Sequence, residues 1–242
     1  MTFARDTLYK LPRLFFEEPF TNGATLRLEK EQAHYLLNVL RRKNGDQVRV
    51  FNGMDGEYLA EISALSKKSG EITLTARTRA QPDTGRSVAL VFAPVKKNRQ
   101  DMIIEKGVEL GVGAFYPVIM DHGQIPKINK NRIEKQILEA SEQCERLTIP
   151  ALHEISPLAT CLADLAENRS VVVCAERGNA PPIADIAREL KDKDIALVIG
   201  PEGGLSEDEI SLAHKYIPAS LGPSILRSET AALAALSIFR LT

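Results

Sequence analysis

The feature that constrains this chain most is a change of hydrophobic pattern near residue 80. Beyond it, Val88-Ala-Leu-Val-Phe-Ala-Pro-Val95 is a near-continuous apolar run of strand length, as are Phe115–Met120, Val171–Ala175, Ile195–Ile199 and, more weakly, Ala219–Leu221. Runs without alternation suit strands covered on both faces, as in a parallel sheet. Helical segments lie between or beside them: Arg99–Leu110, Asn129–Arg146, Ile183–Asp192, Ser206–Tyr216 and Ser228–Phe239. Gly111 stands where a C-terminal glycine would end the first helix. Strands alternating with helices predict an α/β domain with a mostly parallel sheet.

Before residue 80 the segments are shorter and separated by turn signals. Thr25–Leu28, Gln47–Asn52, Glu57–Ala64 and Glu71–Arg77 read as strands, with one helix over Glu31–Arg42. Asn44-Gly45-Asp46, Asn52-Gly53, Asp55-Gly56 and Ser69-Gly70 supply the turns. This predicts a small β-barrel over residues 1–80. Residues 81–86 carry Pro and Gly without apolar periodicity and read as a linker, which leaves 87–242 for the α/β domain.

Charge follows the same division. The formal net charge is −1, but residues 1–80 carry +3 and residues 81–242 carry −4. The front segment also holds 8 of the 13 aromatic residues. Basic charge interleaved with aromatics is the footprint of an RNA-contacting module; a small β domain with an aromatic core has the same composition and is the simpler reading. Cys144, Cys161 and Cys174 are odd in number and widely spaced, which excludes a disulfide framework and a CxxC metal motif. With no signal-peptide pattern or membrane-length apolar run, the expected compartment is the cytoplasm.

Two strand ends stand out, because open α/β sheets bind ligands beyond the carboxyl ends of their strands. Ile195–Ile199 runs into Gly200-Pro201-Glu202-Gly203-Gly204, after which Ser206 and Glu209 form a capping box for a helix. Leu221 meets Gly222-Pro223, then Ile225-Leu226, then Arg227-Ser228-Glu229 at a helix start. Glycines allow close backbone approach to a ligand. Neither GxGxxG nor GxxxxGK[ST] is present, against a Rossmann dehydrogenase or a P-loop NTPase. His34, His122, His153 and His214 lack ligand spacing and read as structural or solvated. Ser206 lies in no G-x-S-x-G context and reads as a cap rather than a nucleophile.

Leu197-Val-Ile-Gly-Pro-Glu-Gly-Gly-Leu-Ser206, followed by Leu221-Gly-Pro-Ser-Ile-Leu-Arg-Ser-Glu-Thr-Ala231, resembles the ribosomal RNA small subunit methyltransferase E family of the SPOUT (trefoil-knotted) methyltransferases. So do His34-Tyr-Leu-Leu-Asn-Val-Leu-Arg-Arg42 with Gly45-Asp46, Lys96–Arg99 with Glu105–Val112, and Ala140–Arg146 with Pro150. These blocks occur in family order over nearly the whole chain. One departs: Asp121-His122-Gly123-Gln124 stands where the family often carries an Arg-Ser pair, so no substrate role is carried over to that loop.

The resemblance implies a PUA-like RNA-binding β-barrel, a trefoil-knotted catalytic domain, a homodimer and S-adenosyl-L-methionine as cofactor, with no metal. It implies methylation of N3 of a uridine in 16S rRNA of the small ribosomal subunit. By motif, Leu197, Ile199, Gly200, Gly203, Leu221, Gly222, Ile225, Leu226, Arg227 and Ala231 are the cofactor candidates. Arg227 suits stabilisation of a developing oxyanion, and Glu229 or Glu202 suits proton removal. Arg13, Arg41, Arg42, Lys96, Lys97, Arg99 and Arg146 are candidate RNA contacts. Two other classes stay open: a SPOUT enzyme acting on another RNA, and a catalytically silent rRNA-binding assembly factor. A small-molecule α/β enzyme would leave the basic, aromatic front segment unexplained.

Overall fold

The computed structural model describes residues 8–83, 85–125, 127–174 and 180–242. The chain divides into two units, Met1–Asp83 with Ser141–Thr148, and Thr84–Ala140 with Ile149–Thr242.

In the first unit, β1 (Arg13–Phe15), β2 (Thr25–Leu28), β3 (Gln47–Phe51), β4 (Glu57–Leu65) and β5 (Gly70–Arg79) form one sheet in the order β1-β3-β4-β5-β2. The β1–β3 pair is parallel and the others are antiparallel. Register shifts along β4–β5 bend the ladder, which is how a short sheet curls. The alternating strands turn Leu26, Val48, Ile62, Ile72 and Leu74 into a core that also takes Leu14, Phe16 and Phe20.

The helix expected over Glu31–Arg42 is shorter and changes pitch. Helix α1 spans Lys30–His34, and a π-helical turn follows over Tyr35–Val39. Burial of Leu36 and the Leu40 N–H bonding back to Tyr35 O at 3.0 Å favour the wider turn. Arg41, at φ +54, then ends the helix where a glycine would usually stand.

Arg13 and Glu57 form a buried ion pair, Nε to Oε2 at 2.8 Å. The Arg13 guanidinium lies 3.6 Å over the Phe51 ring and donates to the carbonyl oxygens of Ser141 (2.9 Å) and Arg146. Arg49 reaches Glu57 at 3.7 Å and Glu145 at 2.8 Å. These bonds tie Ser141–Thr148 to β1 and β3.

The second unit contains β6 (Val88–Phe92), α2 (Lys97–Glu109), β7 (Val112–Ile119), α3 (Lys130–Gln143, whose last residues group with the first unit), β8 (Ala151–Leu152), β9 (Ser156–Pro157), α4 (Leu158–Ala166), β10 (Ser170–Cys174), α5 (Ile183–Glu189), β11 (Ile195–Ile199), α6 (Glu207–Ala213), β12 (Ile217–Ala219) and α7 (Ser228–Leu241). The sheet runs β12-β10-β11-β6-β7-β8, with β9 on β7, and every pair is parallel. Strands β6 and β11 are buried along their whole length, as continuous apolar runs require. Gly111, at φ +96, follows α2 and donates to Val108 O.

Element bounds differ from the sequence reading in several places. Strand β12 ends at Ala219, so Leu221 lies in the following loop. Helix α4 was missed, although Leu158, Cys161, Leu162 and Leu165 have helical spacing and are buried. Ala175, expected to end β10, lies outside the described residues.

Candidate functional site

The strand order places three carboxyl ends side by side. Cys174 at the end of β10 is in register with Ile199 of β11 and with Ala219 of β12. One residue beyond Ile199 comes Gly200, and two beyond Ala219 comes Leu221. Ser220 extends the arrangement by pairing with Pro182, its N–H donating to Pro181 O at 2.8 Å. The two glycine-proline corners, about twenty residues apart in sequence, thus meet at one end of the sheet.

Between them lies a cavity of about 400 Å³, counting the space that opens to solvent. It is lined by Cys174, Ile199, Gly200, Leu221, Gly222, Ser224, Leu226, Ser228 and Ala231. Six cofactor candidates line it: Ile199, Gly200, Leu221, Gly222, Leu226 and Ala231. Leu197, Gly203, Ile225 and Arg227 do not. Leu197 is wholly buried inside β11, Ile225 is 64% exposed, and Arg227 is the exposed residue before α7. Cys174, Ser224 and Ser228 were missed. Ser224 and Ser228 lie within the Leu221–Ala231 motif, whereas Cys174 comes from a distant strand that only the sheet order brings in.

The cavity suits a ligand with both apolar and hydrogen-bonding parts. Ile199, Leu221 and Leu226 provide the apolar wall. Burial pushes the Cys174 thiol up to about 12, so it stays protonated and adds no charge. The Ser228 hydroxyl is buried without a hydrogen-bond partner among the described residues. An unpaired buried hydroxyl costs about 1–3 kcal/mol, and a polar ligand atom in the cavity would relieve it.

The Gly200–Gly204 loop is held from outside by the divergent Asp121–Gln124 segment. Ser206 Oγ accepts from the Glu209 N–H at 3.3 Å and donates to Asp121 Oδ2 at 2.6 Å; Glu209 accepts the N–H groups of Ser206 and Asp121, each at 2.9 Å. His122 Nδ1 lies 3.2 Å from Gly204 O. The segment to which the sequence reading gave no role therefore buttresses the loop beside the cavity.

The candidate carboxylates share a cation. Arg99, in the first turn of α2, pairs through Nη1 with Glu202 Oε1 and lies with Nε 3.8 Å from Glu229 Oε1. Glu229 is 8% exposed, and its Oε2 is buried without a hydrogen-bond partner among the described residues. Arg227 forms no ion pair among the described residues and is exposed.

The RNA candidates separate. Arg41, Lys96 and Lys97 are exposed and Arg42 is half-buried. Arg13 is 6% exposed, and its guanidinium is engaged by Glu57 and backbone carbonyls. Arg146 is half-buried and donates to Thr148 Oγ1 at 3.2 Å. Among the described residues, no group of three or more His, Cys, Asp or Glu could hold a metal ion, and no helix is long and apolar enough to cross a membrane.

Comparison with known proteins places this geometry. Residues 82–240 match the model of an RNA methyltransferase domain, and residues 28–75 that of an RNA methyltransferase PUA domain. The chain is 32% identical over 239 residues to the ribosomal RNA small subunit methyltransferase E of Rickettsia conorii, covering 96% of each. It is 29% identical to that of Bacillus subtilis over 244 residues, covering 94% of this chain and 95% of the relative. The crystal structure of a ribosomal RNA small subunit methyltransferase E from Neisseria gonorrhoeae bound to S-adenosyl methionine superposes with a TM-score of 0.86 at 28% identity, covering 96% of this chain and 97% of that one.

Proposed function

The chain belongs to the ribosomal RNA small subunit methyltransferase E family, and on that premise we propose that it methylates N3 of a uridine in 16S rRNA of the small subunit, with S-adenosylmethionine as donor. The observation that carries the reading is the meeting of the Gly200 and Leu221-Gly222 corners around one cavity. The cofactor supplies an activated methyl group on a sulfonium. Ile199, Leu221 and Leu226 hold its apolar parts, and the Ser228 hydroxyl and the glycine backbones answer its polar ones.

The remaining work is to present N3 and remove its proton. With a pKa about 2 units above the working pH, forming the uridine anion costs about 3 kcal/mol. Glu229 or Glu202 accepts the N3 proton as a general base, and Arg227 stabilises negative charge on the neighbouring carbonyl oxygens. Most of the rate gain comes from holding N3 in line with the methyl carbon.

In this reading residues 1–80 bind RNA, 81–86 connect and 87–242 carry the chemistry. Arg41, Arg42, Lys96 and Lys97 contact phosphates. The corners form part of a trefoil knot, and the enzyme works in the cytoplasm as a homodimer. The test incubates the protein and labelled cofactor with small subunits from cells that lack the modification, then maps the methylated base. Label at N3 of one uridine supports the reading; label on another base or RNA overturns it. A silent assembly factor would show no heat on titration with S-adenosylmethionine.

A further inference from the structure

Helix α2 begins in an unusual way. Lys96, Lys97 and Arg99 crowd its N-terminal end, and its first turn has no acidic residue. Cations there oppose the helix dipole, so something outside the helix must offset them. Lys96 and Lys97 are exposed and form no ion pairs among the described residues. For Arg99 it is two carboxylates from two other elements: Glu202 in the loop after β11 and Glu229 in the first turn of α7.

We propose that Arg99 is a positioning residue, which holds Glu202 and Glu229 together and thereby fixes the mouth of the cavity, instead of gripping an RNA phosphate. The Arg99, Glu202 and Glu229 side chains are 34%, 30% and 10% exposed, so water screens them less than a surface cluster. Glu202 follows cavity-lining Gly200 by two residues, and Glu229 lies between cavity-lining Ser228 and Ala231. Without the guanidinium, two carboxylates converging on one place repel each other. The parts free to yield are the Gly200–Gly204 loop and the start of α7, both of which shape the cavity. This inference rests on the reading that the cavity holds the methyl donor.

The test titrates S-adenosylmethionine calorimetrically, without RNA, into the full chain and into Arg99→Met, Arg99→Lys, Glu202→Gln/Glu229→Gln and the triple variant with Arg99→Met. Arg99→Met weakens cofactor binding about tenfold, a size typical of coupled neighbours. Arg99→Lys recovers part of the loss. In the double-Gln background, Arg99→Met adds nothing, because no carboxylates remain to be held together. RNA binding by Arg99→Met keeps the wild-type salt slope. Wild-type cofactor affinity in Arg99→Met, with a salt slope lower by about one, identifies a phosphate contact and overturns the proposal. A full loss persisting in the double-Gln background overturns it too, since Arg99 would then act on the cofactor directly. Failure of the wild-type chain to bind cofactor overturns the donor reading, and this inference with it.

Discussion

Gly222 holds φ +110 with nothing among the described residues within 4 Å of the Cβ it lacks, whereas a Cβ on Gly203 would fall 2.8 Å from His122 Cβ. One glycine answers a backbone angle and the other a close approach. Gly222→Ala is expected to cost about 1–2 kcal/mol of left-handed strain and to weaken cofactor binding, read by urea unfolding and calorimetry. Gly203→Ala is expected to push His122 and loosen the Asp121 buttress. Its loss should be partly relieved in Gly203→Ala/His122→Gly, and strictly additive losses would refute the contact. Both glycines were visible in the sequence as parts of corners. Their separate reasons were not, because His122 approaches Gly203 only through the fold.

At the scale of elements, β1 is held by charge as much as by its ladder. Its Arg13 shares burial with Glu57, and Arg13→Met would leave that carboxylate buried with Arg49 and Arg79 at 3.7 and 3.8 Å and the Thr78 hydroxyl at 3.1 Å. The expected cost is about 3–5 kcal/mol, as for breaking a buried pair on one side; a loss below ~1 kcal/mol in urea unfolding would show that Arg49 and Arg79 suffice. A second element-scale effect depends on pH. His153, beside β8, stacks on Tyr116 of β7 with centroids 3.9 Å apart. Although the residue is exposed, partial desolvation of the ring holds its pKa below the usual histidine value, and Arg169 and Lys130 push the same way. A group with a lowered folded pKa binds protons more readily when unfolded. Stability is therefore fullest above about pH 6.5 and falls as pH drops from there toward the folded pKa. His153→Phe should flatten that part of the curve, measured as urea midpoints between pH 7.5 and 5.5. The sequence marked His153 only as structural or solvated, since its neighbour on β7 is fixed by sheet pairing.

For the whole molecule, a formal charge of −1 conceals a basic front segment and an acidic remainder. RNA affinity should therefore fall steeply with salt, and Arg41→Gln/Arg42→Gln should lower the logarithmic salt slope by about two while leaving cofactor titration unchanged. A flat salt response would remove the electrostatic account of binding. The alternation of apolar runs and helices, the capping box at Ser206 and the two glycine-proline corners were readable in the chain, because each depends on neighbours within a few residues. The order β12-β10-β11, which aligns Cys174 with Ile199 and Ala219, was not. Nor were the burial of Arg13 or the gathering of Glu202 and Glu229 on Arg99. Those outcomes depend on which distant segments pair, and only the lowest free energy of the whole packed arrangement decides that.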